Sequence, residues 1–203
     1  MTVQIKLMDF CSGQGVKRSN SSTIARLYNA VLGKKTQFYV PDSVQHHTRE
    51  RLWIQNPYFI PKAEAIDAMG AAVKRGVDVR VMMPATSGSD NPMVQHAGHR
   101  NFEKLLRCGV RLFEYPHTLL HQKVMTVDGV WSAIGSSNFD DRSFDTNDEI
   151  TLGILDATVA ARLDAVFDKY APLCKEIKLE AWTKRGLWHK FKDNLFYLFS
   201  AVL

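Results

Sequence analysis

Apolar and polar positions in the middle of the chain follow a pattern typical of strands joined by helices. Leu52-Trp53-Ile54 is a short apolar run, and valines alternate with mostly charged residues from Val77 to Met83. Between these segments, apolar residues recur at the three- and four-residue spacing of an amphipathic helix. The same order returns with a helix after Asn91-Pro92 and a strand from Val110 to Tyr115. Strands that alternate with helices of this length indicate βαβ units.

A hairpin and a further strand extend this predicted sheet. The turn signal Asp128-Gly129 separates an apolar segment that begins at Leu120 from a second strand between Val130 and Ile134. A strand from about Glu149 to Leu155 follows, and Asp156 can cap the next helix. The pattern therefore predicts an α/β fold with a mixed, mostly parallel sheet that is flanked by helices.

The first 50 residues form an N-terminal extension whose pattern is weaker. It predicts a strand from Val3 to Met8 and a helix from about Ser22 to Gly33. His46 and His47 follow in a polar connection. Because neighbouring side chains point apart in regular structure, we expect these two histidines to lie in a solvated loop and not in a metal site.

The tail of residues 182–203 predicts an amphipathic helix. One helical face collects its apolar residues, which are Trp188, Phe191, Leu195, Leu198, Phe199 and Val202. A basic helix that carries Trp and Phe can lie in a bilayer interface. Such a face can equally pack on the domain or on a partner chain, and the sequence leaves both interpretations open.

Composition narrows the class of protein. The chain has 203 residues, of which 45% are hydrophobic and 23% charged, as expected for one globular domain with an extension. Its net charge of +5 favours anionic partners such as phospholipid headgroups or nucleic acid.

The three cysteines are widely spaced in the sequence: Cys11, Cys108 and Cys174. This spacing argues against a zinc site or a disulfide framework and favours a reducing compartment. We see no secretory signal. No stretch reaches the ~20 apolar residues of a bilayer span, so we expect any membrane contact to be peripheral.

The candidate chemistry is concentrated around the hairpin. His121 and Lys123 are two residues apart in a segment predicted as a strand, so their side chains would share one face. Ser136 and Asn138 follow the second strand. An imidazole can attack a phosphodiester, an ammonium stabilises the developing charge, and a hydroxyl and an amide can donate to the phosphoryl oxygens. The pattern predicts a phosphate site, and we expect neither a metal nor a cofactor.

Two carboxylates complete the candidate set, and one group is missing. Glu149 could orient the imidazole of His121 through its far ring nitrogen. Asp128 occupies the hairpin turn, so a structural role stays open for it. The leaving alkoxide also needs an acid. The other histidines of the predicted domain that we considered for that role lack a lysine two residues on: His96, His99 and His117.

The spacing H-x-K-x4-D-x6-G-S-x-N, from His121 to Asn138, resembles the HKD motif of the phospholipase D superfamily. Residues 51–203 also resemble the C-terminal half of a bacterial cardiolipin synthase, through R-L-W-I-Q-N-P-Y-F-I-P, V-Q-H-A-G-H-R, G-S-S-N-F-D-D-R-S-F and the closing W-x5-W-x-K-F. The resemblance implies one half of a bilobal fold, with its phosphodiesterase motif at about 115–142. The site residues that it implies are His121, Lys123, Asp128 and Glu149 as catalytic groups and Ser136 and Asn138 as phosphate-binding groups.

The resemblance also implies a reaction and a partner. A phosphatidyl group would pass from phosphatidylglycerol to His121 and then to a second phosphatidylglycerol, which yields cardiolipin. Family members carry two HKD motifs, whereas this sequence has one. We therefore expect a homodimer, or pairing with another HKD half, on the cytoplasmic side of the inner membrane. A single-motif nuclease that acts as a homodimer and an inactive lipid-binding remnant are the alternatives; the similarity to a lipid synthase argues against nucleic acid.

Overall fold

Eight strands form one sheet in a computed structural model of the chain, which describes residues 5–6, 50–140 and 149–198. The strands are β1 (Ile5–Lys6), β2 (Arg51–Gln55), β3 (Asp78–Pro84), β4 (Arg111–Tyr115), β5 (Val124–Val127), β6 (Trp131–Gly135), β7 (Thr151–Leu155) and β8 (Lys175–Ile177). Their spatial order is β1-β7-β6-β5-β2-β3-β4-β8. The helix predicted near residues 22–33 and the histidine pair at 46–47 lie outside the described residues.

The sheet is mixed, as predicted, but parallel pairing extends over fewer strands than the sequence suggested. β2 pairs parallel to β3, and β3 pairs parallel to β4. The other pairs among the described strands are antiparallel. The reason lies in the connections: helical crossovers join β2, β3 and β4, whereas β5 and β6 are joined by a short hairpin, which forces neighbouring strands to run in opposite directions.

Helices cover both faces of the sheet, and the alternation of side chains along β2 sorts them. The helices are α1 (Ala63–Lys74), α2 (Pro92–Arg107), α3 (Ala157–Tyr170), α4 (Leu179–Thr183) and α5 (Leu187–Tyr197). Leu52 and Ile54 belong to the core that is shared with α1 and α2. Trp53, which lies between them, points to the other face and contacts Phe167 of α3 at a ring separation of 4.9 Å. Asp156 caps α3, as predicted.

Two sequence-based expectations concern the cysteines and the membrane. Cys108 and Cys174 are free thiols, and Cys11 lies outside the described residues. Within the ranges that the structure describes, no helix combines the length and the apolar character needed to cross a bilayer.

Asp128 and Gly129 form the turn between β5 and β6. Their φ angles are 50° and 65°, and positive φ at both central positions is the signature of the type I′ turn that suits a tight hairpin. One carboxylate oxygen of Asp128 accepts hydrogen bonds from the backbone N–H groups of Glu50 and Arg51, at 3.1 and 2.9 Å. The turn is thereby fastened to the start of β2.

Replacing Asp128 by Ala should lower the free energy of unfolding by about 1–3 kcal/mol, because two backbone donors lose a charged acceptor. Urea denaturation measures this change. Asp67→Ala, which removes an exposed carboxylate from α1, is the matched control and should stay within about 0.5 kcal/mol of the parent chain. Equal unfolding midpoints for the two variants would contradict a structural role for Asp128.

The C-terminal helix α5 packs on the domain through Asp193 and through Phe196 and Tyr197, which contact the buried cluster of Ile60, Val94 and Ala97. Asp193 is buried, accepts from His96 Nδ1 at 2.9 Å and from Arg185 at 2.8 Å, and lies 3.7 Å from His99 Nδ1. The opposite face leaves its apolar side chains exposed, namely Trp188, Phe191, Leu195 and Leu198. Of the two interpretations of the tail, packing of this face on the domain does not hold for the described part of the chain; Phe199 and Val202 lie outside it.

Hydrogen bonds decide the charge states in this buried network. Burial alone would lower the pKa of His99, but the nearby carboxylate of Asp193 and the hydrogen bond with Glu114 outweigh it, and the pKa is raised above its usual 6.5. Burial alone would raise the pKa of Asp193, whereas the nearby ring of His99 and the hydrogen bond with His96 bring it below the usual 3.8. The contact of α5 with α2 is therefore an ion pair at mildly acid pH.

The stabilising effect of His99 should depend on pH. Because its folded pKa is raised, this contribution is fully present below pH 6.5 and is lost as the pH rises through the folded pKa. The stabilising contribution of Asp193 depends on pH in the acid range, since it is lost only as the pH falls below 3.8. When the pH is raised from 6 to 9, the urea concentration at the unfolding midpoint should decrease for the parent chain. The midpoint of His99→Gln should change much less over the same range. Parallel curves for both proteins would contradict this account.

Candidate active site

The candidate site lies at the end of the sheet where β2 and β6 finish and β5 and β7 begin. In the register of these strands, Gln55 pairs with Val124, Val124 with Ile134, and Gly135 with Thr151. Antiparallel neighbours place the first residue of one strand beside the last residue of the next. The segments that flank these strand ends therefore lie together at one end of the sheet. They carry the predicted site residues apart from Asp128.

His121 and Lys123 lie side by side, but not on a strand. They belong to the segment just before β5, which begins at Val124, so their predicted placement on a strand is wrong. The ammonium of Lys123 is 3.0 Å from Nε2 and 3.3 Å from Nδ1 of His121, and it also donates to the carbonyl of His121 at 3.4 Å. The imidazole is exposed to solvent while the lysine is partly buried. A potential nucleophile, the imidazole of His121, thus lies next to a cation, the ammonium of Lys123.

Ser136 and Glu149 form the second part of the site. The hydroxyl of Ser136 donates to the carboxylate of Glu149. Backbone contacts hold Ser136 in place, because its N–H donates to the carbonyl of Ile150 at 2.9 Å and its hydroxyl accepts from the N–H of Ile150 at 3.0 Å. The predicted contact of Glu149 with the far ring nitrogen of His121 stays a prediction.

The charge environment of Lys123 is balanced between burial and nearby acids. Partial burial lowers the pKa of its ammonium, and the negative charges of Glu149, Asp90 and Asp140 oppose that shift without cancelling it. Three carboxylates therefore contribute to the field around the predicted phosphate site.

A buried amide fixes the segment that carries Asn138. Nδ2 of Asn56 donates to the carbonyl of Ser137 at 3.3 Å, and its Oδ1 accepts from the backbone of Tyr58 and of Phe139, both at 3.2 Å. The backbones of residues 58–60 and 139 are also hydrogen-bonded to each other. The end of β2 and the segment after β6 therefore form one unit.

Sequence reasoning missed Asn56, Tyr58, Asp90 and Asp140. The hydroxyl of Tyr58 donates to Asp90 at 2.6 Å, and its ring lies edge-on to the ring of His121, with centroids 6.5 Å apart. Burial, followed by the bond to Asp90, raises the pKa of Tyr58. A signal was available for Asn56, Tyr58 and Asp90, because ligands of open α/β sheets bind beyond the carboxyl ends of strands, and these residues follow β2 and β3.

Asp128 is separated from the other predicted site residues. It follows β5, whereas His121 and Lys123 precede that strand. Five residues of extended chain put Lys123 and Asp128 about 16 Å apart. The geometry gives Asp128 a role in the hairpin turn, and its predicted membership of the catalytic set finds no support in its position.

One group within the described residues could offer ligand atoms to a metal, and it lies away from the candidate site around His121 and Lys123. Atoms of His96, His99 and Asp193 fall within 4.8 Å of one another. Their hydrogen-bonding capacity is already used, since Arg185 donates to the second oxygen of Asp193 and Nε2 of His99 is bonded to Glu114. A guanidinium on the only carboxylate of the group disfavours a second cation there, so we treat the group as a network that fastens α5.

Comparison with known proteins identifies the domain. Residues 44–171 match a family model described as cardiolipin synthase, PLD-like domain. Cardiolipin synthase A of Yersinia pseudotuberculosis serotype O:1b (strain IP 31758) is 40% identical over 155 residues, which are 76% of this chain and 32% of that protein. The protein of the same description from Yersinia pestis bv. Antiqua (strain Angola) gives the same values. The matched segment thus spans about a third of the length of these relatives.

Solved structures agree on the fold. The phospholipase D family member Nuc from Salmonella typhimurium has a TM-score of 0.56 and 19% identity, over 67% of this chain and 87% of that one. Phosphatidylserine synthase of Haemophilus influenzae Rd KW20 has a TM-score of 0.59 and 16% identity, over 76% of this chain and 40% of that one. These likenesses concern the fold alone. Together with the match in sequence, they show that this chain belongs to the family of cardiolipin synthase, phospholipase D-like domains.

Proposed function

We propose that this chain carries one half of the active site of a phosphatidyl-transferring enzyme of the cardiolipin synthase type. The observation that carries the proposal is the contact of the His121 imidazole with the Lys123 ammonium, beside Ser136, in a domain of this family. In this proposal His121 is the nucleophile, Lys123 stabilises negative charge on the phosphoryl oxygens, and Ser136 and Asn138 donate hydrogen bonds to them.

The proposed reaction has two displacement steps. The imidazole of His121 attacks phosphorus in phosphatidylglycerol, the bond from phosphorus to the glycerol oxygen breaks, and an acid protonates the departing glycerol. The hydroxyl of a second phosphatidylglycerol then attacks the phosphohistidine and gives its proton to the same group, now a base. Cardiolipin forms and His121 is regenerated. Lys123 is the electrostatic partner in both steps, so the proposal needs no metal or cofactor.

The acid of the first step comes from a second HKD half in this proposal. His121 and Ser136 are exposed, so the predicted site is open on the side from which a partner could approach. A two-fold dimer would place a second imidazole and ammonium across that opening by symmetry. A different HKD half would satisfy the same chemical need.

Membrane contact belongs to the same proposal. The substrates of the proposed reaction are lipids, and the exposed stripe of α5 offers Trp, Phe and Leu side chains to an interface. We propose that the chain lies peripherally on the cytoplasmic side of the inner membrane, with this helix against the lipid.

His121→Ala should reduce cardiolipin formation by at least about a thousandfold, and Lys123→Ala by about a hundredfold or more, because the first loses the nucleophile and the second its electrostatic partner. The measurement follows conversion of labelled phosphatidylglycerol in mixed micelles. His117→Ala, at an exposed loop position outside the site, is the matched control and should keep full activity. Rapid quenching of the parent chain, but not of His121→Ala, should yield a phosphorylated histidine.

Parallel assays separate this reaction from the alternatives. Cardiolipin formation that survives His121→Ala would refute the assigned nucleophile. DNA cleavage without lipid turnover would instead establish a phosphodiesterase, which the net charge of +5 also permits. Loss of both activities in a correctly folded sample would identify an inactive remnant.

Mixed oligomers test the second half directly. When parent and His121→Ala chains are mixed equally and reassembled, about one quarter of the activity should remain if each site needs two intact copies. About one half should remain if each chain works alone. Full activity of a strict monomer would refute pairing.

A further inference from the structure

A basic cleft lies between α2 and the two C-terminal helices. It encloses about 210 Å³ and is bordered by side chains of α2, of α4 and α5, and of the link that joins α4 to α5. Trp182 and Asp193 contribute to its walls, and Arg100, Lys104, Arg185 and Lys190 bring four cations to it. The cleft is smaller than pockets that take drug-sized ligands, so a small headgroup suits it better than a bulky molecule.

The acids of the cleft are already paired. Glu103 accepts from Arg107 at 2.8 Å, and Asp193 is held by His96 and Arg185. Arg107 lies outside the cleft, so the hydrogen bond of Glu103 uses none of the four cations, although the charges of Lys190 and Arg185 also help to lower the pKa of Glu103.

Three cations of the cleft, Arg100, Lys104 and Lys190, form no close ion pair with an acid among the described residues, although Lys190 lies near enough to Glu103 to lower the pKa of that carboxyl. Arg100 donates to the neutral side chain of Asn194 at 2.9 Å, and Lys190 donates to the backbone carbonyl of Thr183 at 3.0 Å. Lys104 is exposed. An arginine and two lysines of this kind favour a phosphate, since a guanidinium can bind two of its oxygens and ammonium groups add charge.

The same helix borders the cleft and carries the exposed apolar stripe. Lys190 and Asn194 face the cleft, whereas Trp188, Phe191 and Leu195 are solvent-exposed. Trp188 and Phe191 stack on each other at 5.5 Å, which makes a flat apolar surface. Aromatic rings in an interfacial helix lie at the level of the lipid headgroups. A helix that rests on a bilayer by this stripe would bring the cleft to the depth of the phosphates.

We propose that the cleft between α2 and α5 binds the phosphodiester group of an anionic phospholipid while the apolar stripe of α5 lies in the bilayer interface. This inference rests on the membrane contact proposed above. The cleft adds a lipid-binding site that is separate from His121 and Lys123. It selects membranes that contain anionic phospholipid, and the stripe supplies affinity that does not depend on headgroup charge.

The test measures sedimentation of the full chain with vesicles of phosphatidylcholine that contain 30% phosphatidylglycerol. Each lysine near an anionic surface contributes a factor of about five in affinity by general attraction, and a hydrogen bond to the phosphate adds to this. Lys104→Ala combined with Lys190→Ala should therefore weaken binding by more than about 25-fold. Lys104→Ala alone should weaken it by more than about fivefold, and this variant leaves the hydrogen bond of Lys190 with Thr183 in place. Arg162→Ala combined with Lys169→Ala removes two positive charges from α3, on the opposite face of the sheet, and should change binding less than twofold.

Two further arms distinguish the possible sources of the effect. On vesicles given the same negative charge by oleic acid, which has no phosphodiester, only general attraction is removed, so the cleft variant should lose clearly less affinity than on phosphatidylglycerol vesicles. An equal loss on both would show general charge attraction alone and overturn the proposal. Unchanged binding of the cleft variant to phosphatidylglycerol vesicles would overturn it as well. If inorganic phosphate, titrated without vesicles, binds the parent chain and not a cleft variant whose vesicle binding is normal, the ligand is a soluble phosphate and the lipid assignment is wrong.

The result also separates this inference from the function on which it rests. If the parent chain binds no vesicles, both the cleft assignment and the membrane contact are wrong, whereas turnover in micelles remains an independent result. If Trp188→Ser combined with Phe191→Ser abolishes binding and the cleft variant does not weaken it, the membrane contact holds and the cleft assignment alone fails.

Discussion

The buried amide of Asn56 is the contact on which the geometry of the candidate site depends. It binds the backbone on both sides at once, at Tyr58 and at the segment of Ser137 and Phe139. Both segments lie beyond their strands, and backbone hydrogen bonds between residues 58–60 and 139 join them as well. With the amide between them, groups that are 81 to 83 residues apart in sequence are held together. A buried amide that lost these partners would carry the full cost of desolvation, which makes other arrangements unfavourable.

The predicted elements were found where local pattern determines structure. The βαβ order, the Asp128-Gly129 hairpin and the Asp156 cap depend on a few neighbouring residues, and each was predicted from them. The proportion of parallel pairing was less predictable, since it depends on which strands meet after the last crossover. Periodicity carries no information on that choice. The segment of His121 and Lys123 shows the same limit, because an apolar run does not mark the residue at which pairing begins.

The candidate site likewise contains residues that could be predicted from the sequence and residues that could not. A motif in one segment revealed His121, Lys123 and Ser136, which lie together. Tyr58 and Asp90 reach the same place from distant segments, and only the register of the sheet brings them there. Asp128 shows the opposite case: it belongs to the same motif, yet extended chain carries it to the far end of the strand. Spacing within a motif specifies shared ancestry and local geometry, and it does not specify that all members meet.

The helix α5 separates the residues that attach it to the domain from the residues that it exposes. Its attachment depends on Asp193 with its imidazole and guanidinium partners and on the packing of Phe196 and Tyr197. Its outward surface consists of Trp188, Phe191 and Leu195. Substitutions on the outward surface leave the attachment intact. That surface is therefore free to diverge, and a chain of this design can acquire a different binding partner there without a change in its core.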